Sequence, residues 1–378
     1  MNNIQLNKTS KMRDSSIELL RIFSMVLIVG HHLAIHGGFD WSGNPISIPH
    51  FWIVLLTMGG KIGVNLFVFI SGYFLINSKD KAPDLKKIIR LFGQVFFFSV
   101  LFYFIFVAFG NETINLKSLF VAFFPIGNST WWFASTYLVM YLFYPYLNTF
   151  LHSLDKHTYQ RLLVLVFFIW AVLPTFTNKT YESNNLLWFF CMYSMAGYAR
   201  LYGYNSKFKS HQYFWFALFM LLITYIATDG IVVMGTKFEI FADKDRFLYA
   251  SQRITTMFST FSLFLGVINL KKPFYNKFVN TVASATFGVY LIHENPYVSN
   301  VLWTKVFHCD AYQNKLMLIP LSVVAIIVVF AVCTVLELIF QNTIEKLYMF
   351  FVNKYADSLT LKLQKMSDSF KKLIFGKE

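Results

Sequence analysis

Charged residues are scarce in this 378-residue chain, where Asp, Glu, Lys and Arg together make up only 14% of the sequence. An average soluble domain carries about 25% charged residues, so a water-soluble fold of this length would lack the surface that covers its core. The apolar residues, 56% of the chain, come in long runs separated by short polar patches. This pattern excludes an ordinary soluble domain and indicates a protein built for lipid.

Cysteine is equally scarce. The three cysteines, Cys191, Cys309 and Cys333, form no motif, so the sequence predicts neither a disulfide framework nor a zinc site. The net charge of +14 comes from Lys and Arg in short patches between apolar runs. We therefore attribute this charge to membrane topology and expect no nucleic-acid partner.

Two further absences narrow the possible functions. The first apolar run ends at Ala34-Ile35-His36-Gly37, a poor signal-peptidase site, so we expect a retained first helix. No internal repeat is detectable, which weighs against a secondary transporter.

Ten apolar runs predict an all-α, polytopic membrane protein with about ten transmembrane helices. The chain divides into a tail (1–16), a transmembrane domain (17–340) and a Lys-rich tail (341–378), which we expect to form an amphipathic helix on anionic membrane lipid. The ten runs are 17–35, 51–76, 88–109, 131–151, 162–176, 186–202, 213–228, 249–270, 278–298 and 316–340.

Polar residues inside the first predicted helix are functional candidates, because polar groups are costly in lipid. Arg21 and His32 are eleven residues apart, which places them within about 20° of each other and about 16 Å apart along the axis. His31 points about 80° away from Arg21. Two simpler interpretations remain open: Arg21 paired with Glu18 anchors the helix, and His32 bonds a neighbouring backbone group.

The histidines of this run also raise the question of a metal. His32 and His36 are four residues apart, but no Glu follows His32 in the position that zinc proteases use, and no nearby acid completes a ligand set. We expect no metal.

The later runs contain further polar candidates, each with a structural alternative. Glycines around Lys61 and Asn65 indicate close helix packing, which does not explain the lysine. Lys87 and Arg90 are three residues apart. They either follow the positive-inside rule or form a clamp that binds an anion. The remaining polar and aromatic candidates have a structural explanation in helix packing, an aromatic belt or a core histidine. These are Ser71, Trp131, Trp132, Tyr290, His293 and Glu294.

The order of these features resembles acyltransferase family 3. Its first-helix signature is Arg or Lys, ten residues and then His, as in Arg21 and His32, preceded by an acid at Glu18. Lys87-x-x-Arg90 is similar to the family's Arg-x-x-Arg, with Lys in place of the first Arg. Three segments also look like family segments: FVFISGYFLI, WWFASTYLVMYLFYPYLN and FGVYLIH.

The resemblance implies a membrane O-acyltransferase in a bacterial plasma membrane, with acetyl-CoA or another acyl-CoA as co-substrate and no bound cofactor. The acceptor would be a hydroxyl of a cell-surface polysaccharide or of its lipid-linked precursor. His32 and Glu18 would be catalytic, and Arg21, Lys87 and Arg90 would bind the donor. The acceptor or its channel would involve Lys61, Asn65, Ser71, Trp131, Trp132, Tyr290, His293 and Glu294.

Two other functions remain possible from the sequence. A polysaccharide polymerase or flippase would need large outer loops or a cationic channel, yet the longest outer loop, about 230–248, is short. A transporter or sensor would carry out no chemistry.

Membrane topology gives the first testable prediction. Lys and Arg concentrate in both tails and in alternate connections, for example Lys86 and Lys87 in the second, so both termini should be cytoplasmic. An alkaline phosphatase fused after Glu378 should be inactive, and a fluorescent protein fused there should fluoresce. A phosphatase active only outside the cell would contradict this topology.

Overall fold

The computed structural model describes residues 13–41, 45–78, 82–110, 112–177, 179–204, 207–241, 248–272 and 274–376. Helices account for 80% of the chain, and the described residues contain no strand. The α-helices are α1 (Ser15–His36), α2 (Ile48–Leu75), α3 (Leu85–Ala108), α4 (Leu116–Phe123), α5 (Trp132–Ser153), α6 (Lys156–Phe167), α7 (Leu173–Thr177), α8 (Asn185–Tyr202), α9 (Ser210–Gly235), α10 (Ile254–Ile268), α11 (Lys277–His293), α12 (Pro296–Val301), α13 (Leu318–Phe340) and α14 (Lys346–Phe375).

Every one of the ten apolar runs corresponds to a helix, which confirms the all-α prediction. Within the described residues, six helical segments are long and apolar enough to cross a membrane, and α10 is apolar but shorter. The count of ten spans and the side of the termini stay predictions. Residues 1–12, Lys79, Lys81 and Glu378 lie outside the described residues. The six segments are Ser15–His36, Ile48–Leu75, Leu85–Ala108, Lys156–Thr177, Ser210–Gly235 and Leu318–Ala356.

Side-chain caps determine where the first helices begin. Asp14 precedes α1 and accepts a hydrogen bond from the Ser16 backbone N–H at 2.9 Å, and Asp84 does the same for Lys86 at the start of α3. Each cap satisfies a backbone N–H that has no partner within its own helix. The cap at Asp14 places Glu18 in the first turn of α1.

Glycines allow α1 and α2 to approach each other closely, as the sequence predicted. A Cβ on Gly60 would lie 2.3 Å from His31 Cβ, and a Cβ on Gly63 would lie 2.5 Å from the Ser24 carbonyl oxygen. Such small residues let helix backbones pack together in lipid. Gly72 has the same role between α2 and α8, where its Cα faces the Tyr193 backbone.

The end of the chain forms one long helix. A π turn over Gln341–Glu345 joins α13 to α14 without a break, and a similar turn over Phe168–Val172 joins α6 to α7. The start of α14 packs on α3, where the Tyr348 hydroxyl donates to the Arg90 carbonyl at 3.1 Å. The sequence predicted this helix, and its contact with anionic lipid stays a prediction.

The close contact of α1 and α2 predicts that Gly63→Ala destabilises the protein. A methyl group at residue 63 meets backbone rather than a flexible side chain, so overpacking should cost about 1–3 kcal/mol. The gain in helix propensity from Gly to Ala returns at most about 1 kcal/mol. Thermal unfolding in detergent micelles should therefore show a lower Tm.

Gly230→Ala is the matched control, because Gly230 lies in α9 with nothing within 4 Å of an added Cβ. This variant gains helix propensity without overpacking, so its Tm should stay equal or rise. Equal Tm changes in the two variants would show that the α1–α2 contact tolerates the extra methyl group.

Candidate active site

Two buried histidines from opposite ends of the sequence meet in the interior. His32 of α1 and His293 of α11 are 6% and 0% exposed. The His32 Nδ1 lies 2.8 Å from the His293 Nε2, which is hydrogen-bond distance. The structure therefore brings together two sequence candidates that are 261 positions apart.

The surrounding hydrogen bonds assign the tautomer of each ring. The His293 Nδ1 lies 2.5 Å from the Val289 carbonyl oxygen, and a carbonyl can only accept, so this nitrogen carries a hydrogen. In a neutral His293 the Nε2 then accepts, and the His32 Nδ1 must donate to it. The second nitrogen of a neutral His32, Nε2, therefore keeps its lone pair.

A carboxylate stands beside this pair. Glu294, directly after α11, places Oε2 3.1 Å from the His32 Nδ1 and Oε1 3.3 Å from the His36 Nε2. Oε2 makes no hydrogen bond within the described residues, because the single Nδ1 hydrogen of His32 points to His293. The contact between Oε2 and His32 is electrostatic and strengthens when His32 becomes an imidazolium.

The same three residues are also a possible metal site. Ligand atoms of His32, His293 and Glu294 all lie within 4.8 Å of one another. The sequence had suggested only His31, His32 and His36 as possible ligands, because His293 and Glu294 are distant along the chain. Two ligands about 2.0–2.1 Å from a tetrahedral zinc ion lie roughly 3.3 Å apart. The 2.8 Å between the two imidazole nitrogens is closer to a direct hydrogen bond, so we interpret the trio as a hydrogen-bonded histidine pair with a carboxylate beside it.

His31 belongs to the helix contact instead. Its Nδ1 bonds the Thr57 carbonyl oxygen of α2 at 2.7 Å. The sequence had placed His31 on a different face from Arg21, and the structure agrees with that placement.

A small, mostly apolar pocket of about 30 Å³ lies against His32. The Tyr290 ring lies 6.1 Å from the His32 ring, centroid to centroid, and Trp132 lines the same pocket. Three phenylalanines also line the pocket: Phe67, Phe133 and Phe287.

A larger cavity of about 390 Å³ lies toward the start of α1. It brings together all three predicted donor residues and adds a fourth cation. We call it the basic cavity, after the four basic residues that line it: Arg13, Arg21, Lys87 and Arg90.

The basic cavity and the His32 pocket share walls. Phe67, Phe133 and Phe287 line both. The four cations and His32 therefore lie in adjoining spaces. Arg21 lines the first space and His32 the second, and both residues belong to α1.

Two carboxylates form ion pairs with cations of the basic cavity. Glu345 contacts the Arg90 Nε at 3.2 Å, and Glu18 contacts Arg21 at 3.0 Å and Arg13 at 3.6 Å. Glu18 lies about four turns of α1 away from His32, so the structure does not bring it to the imidazole as the catalytic assignment required. Glu294 takes that position.

The wall of the basic cavity is held by a buried acid. Glu337 is fully buried and accepts hydrogen bonds from the Gln94 and Gln341 side chains, both at 2.7 Å. Its second oxygen lies against Gly288, where a Cβ would come within 1.9 Å. The sequence analysis did not identify Glu337. The signal was present, because Glu337 is an ionisable residue within an apolar run, as His293 is.

The other acceptor candidates separate into different places. Ser71 lines the basic cavity and donates to the Phe67 carbonyl, so it lies with the cations. Asn65 faces α8 and Ser251, bonding the Trp188 indole N–H at 3.1 Å.

Three candidates remain, and the two tryptophans among them differ in exposure. Trp131 is 1% exposed, unlike a residue of an interfacial aromatic belt, and Trp132 is 40% exposed. Lys61 lies close enough to His32 for electrostatic interaction.

Comparison with known proteins identifies a family for this chain. A family model described as an acyltransferase domain matches residues 14–338, nearly the whole chain. No curated protein and no solved structure matches the chain. The matched segment includes the His32 pocket, Arg21, Lys87 and Arg90, and this multi-pass membrane protein belongs to acyltransferase family 3.

Proposed function

We propose that this protein O-acetylates a cell-surface polysaccharide, or its lipid-linked precursor, with acetyl-CoA from the cytoplasm, in a bacterial plasma membrane. The observation that carries the proposal is the pair of spaces that share Phe67, Phe133 and Phe287, with cations in one and His32 in the other. The family match supports an acyltransferase over a polymerase, flippase or transporter.

The donor fits the basic cavity by charge. Arg21 and Arg90 offer planar guanidinium groups that bind phosphate with two hydrogen bonds, and Lys87 adds a point charge. A pyrophosphate held there would send its pantetheine arm past the three phenylalanines. The arm is long and narrow, so the thioester at its end reaches the small pocket beside His32.

His32 Nε2 is the atom that accepts a proton. It takes the hydrogen of the acceptor hydroxyl while that oxygen attacks the thioester carbonyl carbon. The carbon–sulfur bond breaks, the sulfur leaves as the CoA thiolate, and His32 returns the proton to it. The products are the O-acyl ester and the free thiol of CoA, with His32 restored.

Glu294 and His293 prepare His32 for this step. The bond to His293 holds the tautomer with a free Nε2, as the orienting partner of a catalytic histidine does. Glu294, 3.1 Å from Nδ1, favours the imidazolium formed during the reaction.

The same nitrogen can also act as a nucleophile. In this second route Nε2 attacks the thioester, forms an acyl-imidazole and releases CoA, and the acceptor hydroxyl then takes the acyl group. Labelled acetyl-CoA supplied without acceptor distinguishes the routes, because only the second leaves label on the protein.

His32→Ala should abolish acyl transfer while expression and membrane insertion stay normal. A general base or acyl carrier contributes at least about 100-fold, so the loss should exceed any packing effect. The measurement is the O-acetyl content of the surface glycan, by NMR, in cells that lack the native gene and carry each variant.

His31→Ala is the matched control, since it removes the same side chain from the neighbouring buried position. Its bond to Thr57 has a structural role, so substantial acetylation should remain. The assignment fails if His32→Ala keeps near-normal acetylation while His31→Ala loses it. Activity of the wild type that disappears on chelation and returns with zinc would instead assign His32, His293 and Glu294 to a metal.

Arg90→Ala should raise the KM for acetyl-CoA by about ten- to a hundredfold, because it removes a charge-assisted phosphate contact. Arg21→Lys keeps the charge but loses the planar fork, so its KM should rise less. Lys86→Ala is the control, since Lys86 lies on the same turn of α3 but does not line the basic cavity. Unchanged donor kinetics in Arg90→Ala at normal protein levels would reject the donor site.

A further inference from the structure

A second large cavity, of about 730 Å³, adjoins the basic cavity at the start of α1. Arg13 and Arg21 line both, so the two spaces meet at these side chains. The remaining wall comes from the start of α1, where Asp14 and Glu18 add two carboxylates, and from α2, α8, the end of α10 and the connection between α10 and α11. Side chains away from α1 include Tyr73, Arg200, Phe274 and Tyr275.

Arg200, at the end of α8, is the distinctive cation of this second cavity. It donates to the Tyr73 hydroxyl at 2.9 Å, and its guanidinium lies 4.7 Å from the centre of the Tyr73 ring. These contacts fix the side chain without neutralising it. In the part of the chain that the structure describes, no carboxylate pairs with Arg200, whereas Arg21 and Arg90 each have one.

The size of the donor requires more room than the basic cavity offers. A drug-sized ligand occupies a pocket of about 300–1,000 Å³, and an acyl-CoA is larger than that class of ligand. The basic cavity measures about 390 Å³ and the His32 pocket about 30 Å³. If the pyrophosphate and the arm fill these, the nucleotide must lie in an adjoining space.

The charge of the donor points in the same direction. Coenzyme A carries phosphate at two separate places, the pyrophosphate and the ribose 3′-phosphate, joined through the adenosine. The protein likewise offers cations in two adjoining cavities, with Arg13 and Arg21 between them. Aromatic side chains at the second cavity provide surfaces on which a purine can stack.

We propose that the 3′-phosphoadenosine portion of the donor occupies the second cavity, with Arg200 as the ligand of the 3′-phosphate. The inference rests on the acyl-CoA donor proposed above and adds a specificity-determining residue. Arg200 thereby distinguishes coenzyme A thioesters from thioesters that end in an unphosphorylated nucleotide.

The test compares binding of acetyl-CoA and acetyl-3′-dephospho-CoA to the purified full-length protein, by calorimetry in lipid nanodiscs. The wild type should bind acetyl-CoA about ten- to a hundredfold more tightly, from one charge-assisted contact. Arg200→Ala should weaken acetyl-CoA to the level of the dephospho analogue and leave the analogue's own Kd unchanged. Arg200→Lys should recover part of the difference.

Arg161→Ala is the matched control, since Arg161 is exposed on α6 and lines neither cavity. This variant should keep the wild-type preference. Equal binding of the two thioesters by the wild type would overturn the inference, as would an equal loss of both in Arg200→Ala, which indicates only a structural role beside Tyr73. Failure of the wild type to bind either thioester would overturn the proposed function itself.

Discussion

The close approach of α1 and α2 sets the position of everything at the candidate site. In lipid, two helix backbones come this near only where the residues between them are small, and Gly60 leaves the space that the His31 side chain fills. His31 then bonds the Thr57 carbonyl, which fixes the rotation of α1 about its own axis. His32, one residue further along, is thereby turned toward α11. The geometry of the candidate base thus depends on residues that take no part in the chemistry.

A second constraint is that polar groups in a membrane interior must satisfy one another. His32 and His293 do so, since the hydrogen on each neutral imidazole has an acceptor, whereas one carboxylate oxygen of Glu294 makes no hydrogen bond among the described residues. What remains is one nitrogen lone pair beside a pocket walled mainly by aromatic rings. Most of the side chains that line this pocket have no hydrogen to donate to the lone pair.

Helical periodicity explains how much of this the sequence could predict. Each of the ten apolar runs corresponds to a helix, although short helices such as α4 lie outside them, and the spacing of Arg21 and His32 identified one face of one helix. The spacing of Lys87 and Arg90 worked in the same way, and the structure gathers all three cations in one cavity. Within a helix, position follows from residue number alone, so these predictions needed no knowledge of the fold.

Contacts between helices are a different matter. Nothing in the spacing around His32 indicates that its partner is His293, because that pairing depends on how α1 and α11 pack. The same limit explains Glu18, which is three residues from Arg21 and pairs with it locally, while Glu294 supplies the acid beside the imidazole. Arg200 carried no signal beyond its basic charge. The role proposed for it depends on a cavity whose wall also comes from α1 and α2, and the sequence does not show that packing.

The contact between Gly288 and Glu337 ties together two segments that are distant in the sequence. The Glu337 carboxyl rests directly on the Gly288 backbone while holding Gln94 and Gln341. Any larger residue at 288 would displace the carboxyl, and the two glutamines would lose their common acceptor. Position 288 therefore has to stay without a side chain as long as residue 337 carries the buried carboxyl that holds the two glutamines.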